Sequence, residues 1–279
     1  MLRQPNSPKP VIVFSHGNSF PASIYGAMTK LLEARGYMVR SIEKIGHDPA
    51  YPVTSNWPHL VKQLADFASA QAIDTKAPIV LVGHSLGGFL SLMCAAKHPN
   101  LADGALRGVV LLDAPIISGW RARMVGAAKL TAMIGSFPPG SVSAKRRRNW
   151  ESIDEVYSHF RGKKNFASWD DEAIRRYAEH GTLEVEGTRH LAFDRTVETA
   201  IYNSLPHNLG KLMKSHPPKC PVAFIGGKQS FEIKAVGLGL TRRITGGRLR
   251  MVEGSHLFPI ENPLGTAAAI DAELISMMA

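Results

Sequence analysis

The sequence predicts an α/β fold, with a predominantly parallel sheet of about six strands, helices on both faces and a helical cap insertion. Three observations carry this. Short apolar runs rich in β-branched residues alternate with helical patterns from Val11 to Pro115. That alternation stops over residues 116–218, where helical patterns appear without a clear strand. It resumes at Val222 and again at Leu249. Strands that alternate with helices form parallel sheets with crossovers of one hand.

The elements follow in order. Val11–Ser15 reads as a buried strand that ends in the turn-rich loop His16-Gly17-Asn18-Ser19-Phe20-Pro21. A helix is expected over residues 23–35, closed by Gly36, and a second strand over residues 37–42. Residues 49–58 form a loop, and Ser55 or Asn56 opens a helix running to about Ala72. Ile79–Val82 is the third strand, followed by a helix that stops before Pro99. Val109–Leu112 is the fourth, ending in Asp113-Ala114-Pro115. Val222–Ile225 and Leu249–Val252 are the last two strands, and residues 263–278 close the chain as a helix. This divides the chain into a core, residues 1–115 and 219–279, and a cap, residues 116–218.

Composition bounds the function. The chain has 279 residues, of which 44% are hydrophobic, enough for a sizeable core. Its N-terminus lacks the apolar stretch of a signal peptide, and no run of 18 apolar residues predicts a membrane span. Cys94 and Cys220 read as buried free thiols, which suits a cytoplasmic protein. The formal charge of +10 reads first as a solvated basic surface, with an anionic substrate or a membrane surface as the alternatives, and the basic run Lys145-Arg146-Arg147-Arg148 in the cap reads the same way. No motif for nucleic acid accompanies it.

The chemistry centres on Gly83-His84-Ser85-Leu86-Gly87, set between the third strand and its helix. A strand that turns sharply into a helix leaves its apex residue exposed and strained. Gly83 and Gly87 have no side chains to keep strand and helix apart. The helix N-terminus offers unpaired N–H groups and a partial positive charge to a developing oxyanion. Ser85 is therefore the expected nucleophile. A serine hydroxyl needs a base within hydrogen-bond reach, and the chain holds 11 histidines.

With His16-Gly17 after the first strand, the Gly83–Gly87 turn, and Gly254-Ser255-His256-Leu257-Phe258-Pro259 after the last, the chain resembles the α/β-hydrolase family. The likeness covers Val11 to Pro115 and Pro221 to Ala279. Only about ten residues precede the first strand, so the fold expected lacks two N-terminal strands that many members carry. The resemblance implies His256 as the base. It leaves the triad acid open between Asp113, at the end of the fourth strand, and Glu232, in the loop past the fifth. It implies an oxyanion hole built from the backbone N–H groups of Asn18 and Leu86. His16 is expected to support that loop, and His84 to point away from the apex in a structural role.

The expected activity is a serine hydrolase that cleaves a small-molecule carboxylic ester or related acyl substrate through an acyl-enzyme. A carbon–carbon bond hydrolase, a thioesterase or acyltransferase acting on an anionic thioester, and a non-catalytic binding protein on the same scaffold are the rivals. The Asn18 loop also resembles that of haloalkane dehalogenases, but their chemistry needs an aspartate where this chain has Ser85. Trp120, Phe137, Trp150, Phe160, Phe166 and Trp169 are the aromatic candidates for a substrate pocket, with ordinary cap core as the competing role. No metal or organic cofactor is implied.

Overall fold

The computed structural model describes residues 9–116 and 140–279. Expectations that fall on residues 1–8, and on Trp120 and Phe137, lie outside the described residues. Six strands form one parallel sheet in the order β2-β1-β3-β4-β8-β9. They are β1 (Val11–Ser15), β2 (Met38–Ser41), β3 (Ile79–His84), β4 (Leu106–Leu112), β8 (Val222–Gly227) and β9 (Leu249–Val252). β1, β3 and β8 are buried along their whole length, as near-continuous apolar runs in a parallel sheet should be. The edge strands β2 and β9 are more exposed and carry Arg40 and Arg250, charges that discourage further strand pairing.

Alternation along each strand feeds two cores. Val11, Val13, Leu81, Leu111 and Phe224 face one side, against α2 (Pro58–Thr75) and α3 (Leu86–Lys97). Ile12, Phe14, Val80, Val82, Val110, Leu112 and Ile225 face the other, against α1 (Gly26–Ala34) and the C-terminal helix α10 (Pro263–Met278). Asn262 opens α10 by accepting from the Gly265 N–H, and Pro263 sits at its first position, where no N–H is needed. Cys94 is buried and Cys220 half-buried, and both are free.

Between β4 and β8 the described part of the insertion carries four longer helices, α4 (Ile153–Arg161), α5 (Asp171–His180), α6 (Arg195–Asn203) and α7 (Leu209–Ser215). The expectation of an insertion without strands is corrected here. β5 (Asn149–Trp150), β6 (Thr182–Val185) and β7 (Thr188–Leu191) form a small antiparallel sheet in the order β5-β7-β6. The tight turn Glu186-Gly187, both residues at positive φ (49° and 78°), joins β6 to β7. Trp150, Phe160, Phe166, Trp169 and Tyr177 gather into one buried aromatic cluster, with ring centroids as close as 4.6 Å. Trp150, Phe160, Phe166 and Trp169, four of the candidate pocket aromatics, are thus part of a buried core in the insertion. Two further helices, α8 (Phe231–Val236) and α9 (Gly239–Ile244), follow β8.

Candidate active site

Ser85 stands between β3 and α3 with φ 50° and ψ −112°, a left-handed backbone held by its surroundings. The flanking glycines are required by close approach. A Cβ on Gly83 would stand 2.1 Å from the Gly87 carbonyl oxygen, and one on Gly87 would stand 2.0 Å from the Ser15 carbonyl oxygen. The turn is tied on both sides: Ser85 N–H donates to the Leu112 carbonyl (2.9 Å) and Gly87 N–H to the His16 carbonyl (3.1 Å). Among the described residues Ser85 Oγ makes no hydrogen bond; contacts between nucleophile and base often tighten only with substrate bound.

Leu86 is the first residue of α3, and Asn18 lies in the loop after β1. Among the described residues neither backbone N–H has an acceptor, while their neighbours are used. Gly17 N–H donates to the Tyr25 hydroxyl (3.0 Å) and Ser85 and Gly87 as above. His16 supports the loop with its ring as well as its backbone. Nε2 accepts from the Ile45 N–H (2.8 Å), which places the proton on Nδ1, donated to the Gly17 carbonyl (2.8 Å). Complete burial lowers its pKa to about 4, so it stays neutral.

The structure brings both candidate acids to one imidazole. Asp113 follows β4 with φ 45°, a conformation aspartate tolerates better than most residues, and is buried. Its Oδ1 accepts from the Gly227 N–H (2.9 Å). Its Oδ2 accepts from the Ser230 hydroxyl (2.6 Å) and from His256 Nδ1 (2.7 Å). Glu232 Oε2 is 3.6 Å from the same Nδ1. This convergence follows from the sheet: β4 and β8 are neighbours, Leu112 opposite Ile225, so the residues just past their ends arrive side by side. With Nδ1 on Asp113, His256 has Nε2 free to take a proton. Burial alone would lower the His256 pKa, but the Asp113 hydrogen bond and the Glu232, Asp113 and Glu261 charges outweigh it and raise it above the usual imidazole value. Asp113, Glu232 and His256 are also the one set of three metal-type donors among the described residues, with ligand atoms within 4.8 Å of one another. Within it, Nδ1 and Oδ2 are bonded to each other.

His84, expected in a structural role, lies against the candidate base. Its Nε2 donates to the His256 carbonyl (2.8 Å), and the two rings lie 4.9 Å apart. Its Nδ1 therefore accepts from the Tyr25 hydroxyl (2.7 Å). Burial drives its pKa well below the ordinary value and keeps this tautomer neutral. A chain of bonds thus runs from Gly17 through Tyr25 and His84 to the backbone of the candidate base. Tyr25 and Ser230 were not legible as site residues. Ser230 gave one signal, as the N-cap that accepts from the Ile233 N–H at the start of α8.

Comparison with known proteins places the fold in a family. The model of the alpha/beta hydrolase family matches residues 12–269. The chain belongs to that family. It is similar to a monoglyceride lipase homolog of monkeypox virus, 25% identical over 169 residues that cover 58% of this chain and 61% of the relative. It is also similar to a pyrethroid hydrolase of Sphingobium wenxiniae, 31% identical over 110 residues, 38% of each. The chain thus spans less than two thirds of the length of these relatives. Among solved structures, E-2-(acetamidomethylene)succinate hydrolase superposes with a TM-score of 0.74 at 23% identity, covering 97% of this chain and 93% of that one. At that identity the likeness is one of fold. Among the described residues no helix is long and apolar enough to cross a membrane.

Proposed function

We propose that this family member is a serine hydrolase that cleaves a small-molecule carboxylic ester, with Ser85 as nucleophile, His256 as base and Asp113 as acid. The observation that carries the reading is the 2.7 Å contact between His256 Nδ1 and the buried Asp113 carboxylate, with the His256 backbone fastened to the residue before Ser85. It supports Asp113 over Glu232 because only Asp113 is in hydrogen-bond range, with two further donors orienting it. The lipase and pyrethroid hydrolase names of the relatives favour an ester over the carbon–carbon, thioester and binding alternatives. We further infer that residues 116–218 act as a cap over a core of residues 1–115 and 219–279. Two unpaired cysteines favour the cytoplasm.

The reaction follows from the roles. Ser85 Oγ bonds to the ester carbonyl carbon while its proton passes to His256 Nε2, and Asp113 holds the imidazolium that forms. The carbonyl oxygen becomes an oxyanion facing the free N–H groups of Asn18 and Leu86. The tetrahedral adduct collapses, the bond to the alcohol oxygen breaks, and His256 returns the proton to that oxygen. Water repeats the sequence on the acyl-enzyme, giving the carboxylic acid and free Ser85.

A fluorophosphonate probe tests this. The intact mass of the protein should rise by one adduct, located on Ser85 by peptide mapping and lost in Ser85→Ala, together with turnover of p-nitrophenyl esters. A folded wild-type protein that neither labels nor turns over any ester in a panel of varied acyl length overturns the reading.

A further inference from the structure

The first turn of α8 carries Glu232, whose carboxylate is turned toward the site instead of toward neighbouring lysines. Among the described residues its one ion-pair partner is His256, at 3.6 Å. Lys228, close to it in sequence, pairs with Glu253 instead. The side chain is 42% exposed, where the Asp113 side chain is fully buried. Ser230 lies against both carboxylates, its Oγ 2.6 Å from Asp113 Oδ2 and 3.4 Å from Glu232 Oε2. A hydroxyl has one proton to give. The shorter contact takes it, which leaves the Glu232 oxygen free toward the imidazole.

We propose that Glu232 is a positioning residue that shares His256 with Asp113: it stabilises the imidazolium formed during turnover and retains part of that stabilisation when the Asp113 carboxylate is removed. This rests on His256 acting as the base. The side chain is within the range where an opposite charge favours an imidazolium, and its partial exposure makes the effect weaker than that of buried, hydrogen-bonded Asp113. The titratable groups facing His256 are Asp113 from the end of β4, Glu232 from α8, Glu261 from the short helix Phe258–Glu261 that follows His256, and His84 from β3. His84 is kept neutral by burial. Glu261 is engaged by the Ser255 N–H (2.6 Å) and hydroxyl (2.7 Å) and stays in place in every variant below. The direction of the His256 pKa agrees with two carboxylates acting on it.

The test uses the full-length protein and two readouts. The first is the proton NMR titration of the His256 ring, assigned by comparison with His256→Gln. Glu232→Gln should lower the midpoint by about half a pH unit or more, and Glu232→Asp by less. The second is kcat and KM for p-nitrophenyl acetate in wild type, Glu232→Gln, Asp113→Asn and the double variant, each checked for folding by its urea midpoint. Glu232→Gln should lower kcat a few-fold alone and by about 10-fold or more on top of Asp113→Asn, with KM little changed. A Glu232→Gln titration that superimposes on wild type overturns the proposal, and so does an equal cost in both backgrounds. If Asp113→Asn fails to fold, the titration decides alone. Failure of the hydrolytic reading looks different: wild-type turnover no faster than Ser85→Ala, with the titration still reporting on Glu232.

Discussion

Replacing Gly87 by alanine places a methyl group where there is no room for one. Its Cβ would stand 2.0 Å from the Ser15 carbonyl oxygen, 2.4 Å from the Ser15 carbonyl carbon and 2.7 Å from Ser15 Cβ. Carbon and oxygen rest at about 3.3 Å or more, so α3 and β1 must separate by about 1.3 Å. All the obstructing atoms except Ser15 Cβ are backbone, and no side chain can rotate to relieve the contact. The separation stretches the 3.1 Å bond from the Gly87 N–H to the His16 carbonyl. It also moves the Leu86 N–H, on α3, away from the Asn18 N–H, on the loop that leaves β1. Overpacking of this severity should cost about 3 kcal/mol of stability. A displacement near 1 Å at the oxyanion donors should lower kcat about 100-fold. Urea unfolding and p-nitrophenyl acetate kinetics, on protein kept well below its unfolding midpoint, measure both. Gly26→Ala is the control: nothing lies within 4 Å of its added Cβ, φ is −52°, and the change should be neutral or slightly stabilising. A Gly87→Ala protein with wild-type kcat and midpoint refutes this account of the turn.

Three further outcomes are expected. In Asp113→Asn the Gly227 N–H holds the amide oxygen on its own side, so the NH2 group faces His256 and opposes the productive ring tautomer, which Glu232 alone then supports weakly. kcat should fall about 1000-fold, and a loss under about 10-fold in a folded variant removes Asp113 as the acid. Second, because the folded His16 pKa is lowered to about 4, the unfolded chain takes up this proton first as pH falls below 6.5. The stabilisation from neutral His16, at most about 3 kcal/mol, is present above pH 6.5 and drains away down to about pH 4. His84 and His47, both lowered, act in the same direction, whereas His256, raised, opposes it. The urea midpoint should therefore fall between pH 6.5 and 4.5, and a flat or rising midpoint contradicts it. Third, Arg146→Ala strips the buried Glu198 carboxylate of its 2.8 Å partner and the Tyr177 hydroxyl of its 2.9 Å donor. It should cost about 3 kcal/mol, and Arg146→Met with Glu198→Leu should restore most of that in urea unfolding.

The strands and the serine turn were legible because local pattern and tertiary role coincide there. Ile79–Val82 is buried on both faces, and the glycines flanking Ser85 are needed at contacts made within the motif or with β1. The competition between Asp113 and Glu232 was not decidable from spacing. Each follows a strand of the right kind, and only the pairing of β4 with β8 brings both to His256 at different distances. The strands of the insertion were missed for another reason. β5 has two residues, and β6 exposes Leu183 and Val185 where a buried strand would hide them, so no apolar alternation marks a core face. The Glu186-Gly187 turn was the available signal. The contact of His84 with His256 was not legible because position beside a nucleophile says nothing about which backbone carbonyl its ring will meet.

Asn18 Nδ2 donates across to the Glu198 carbonyl on α6 (3.1 Å). The loop that bears one proposed oxyanion donor is thus buttressed by a helix of the insertion. An inhibitor wedged between the two would act twice, once by filling space and once by slackening the amide meant to polarise the substrate. Its effect would extend to esters too small ever to touch it.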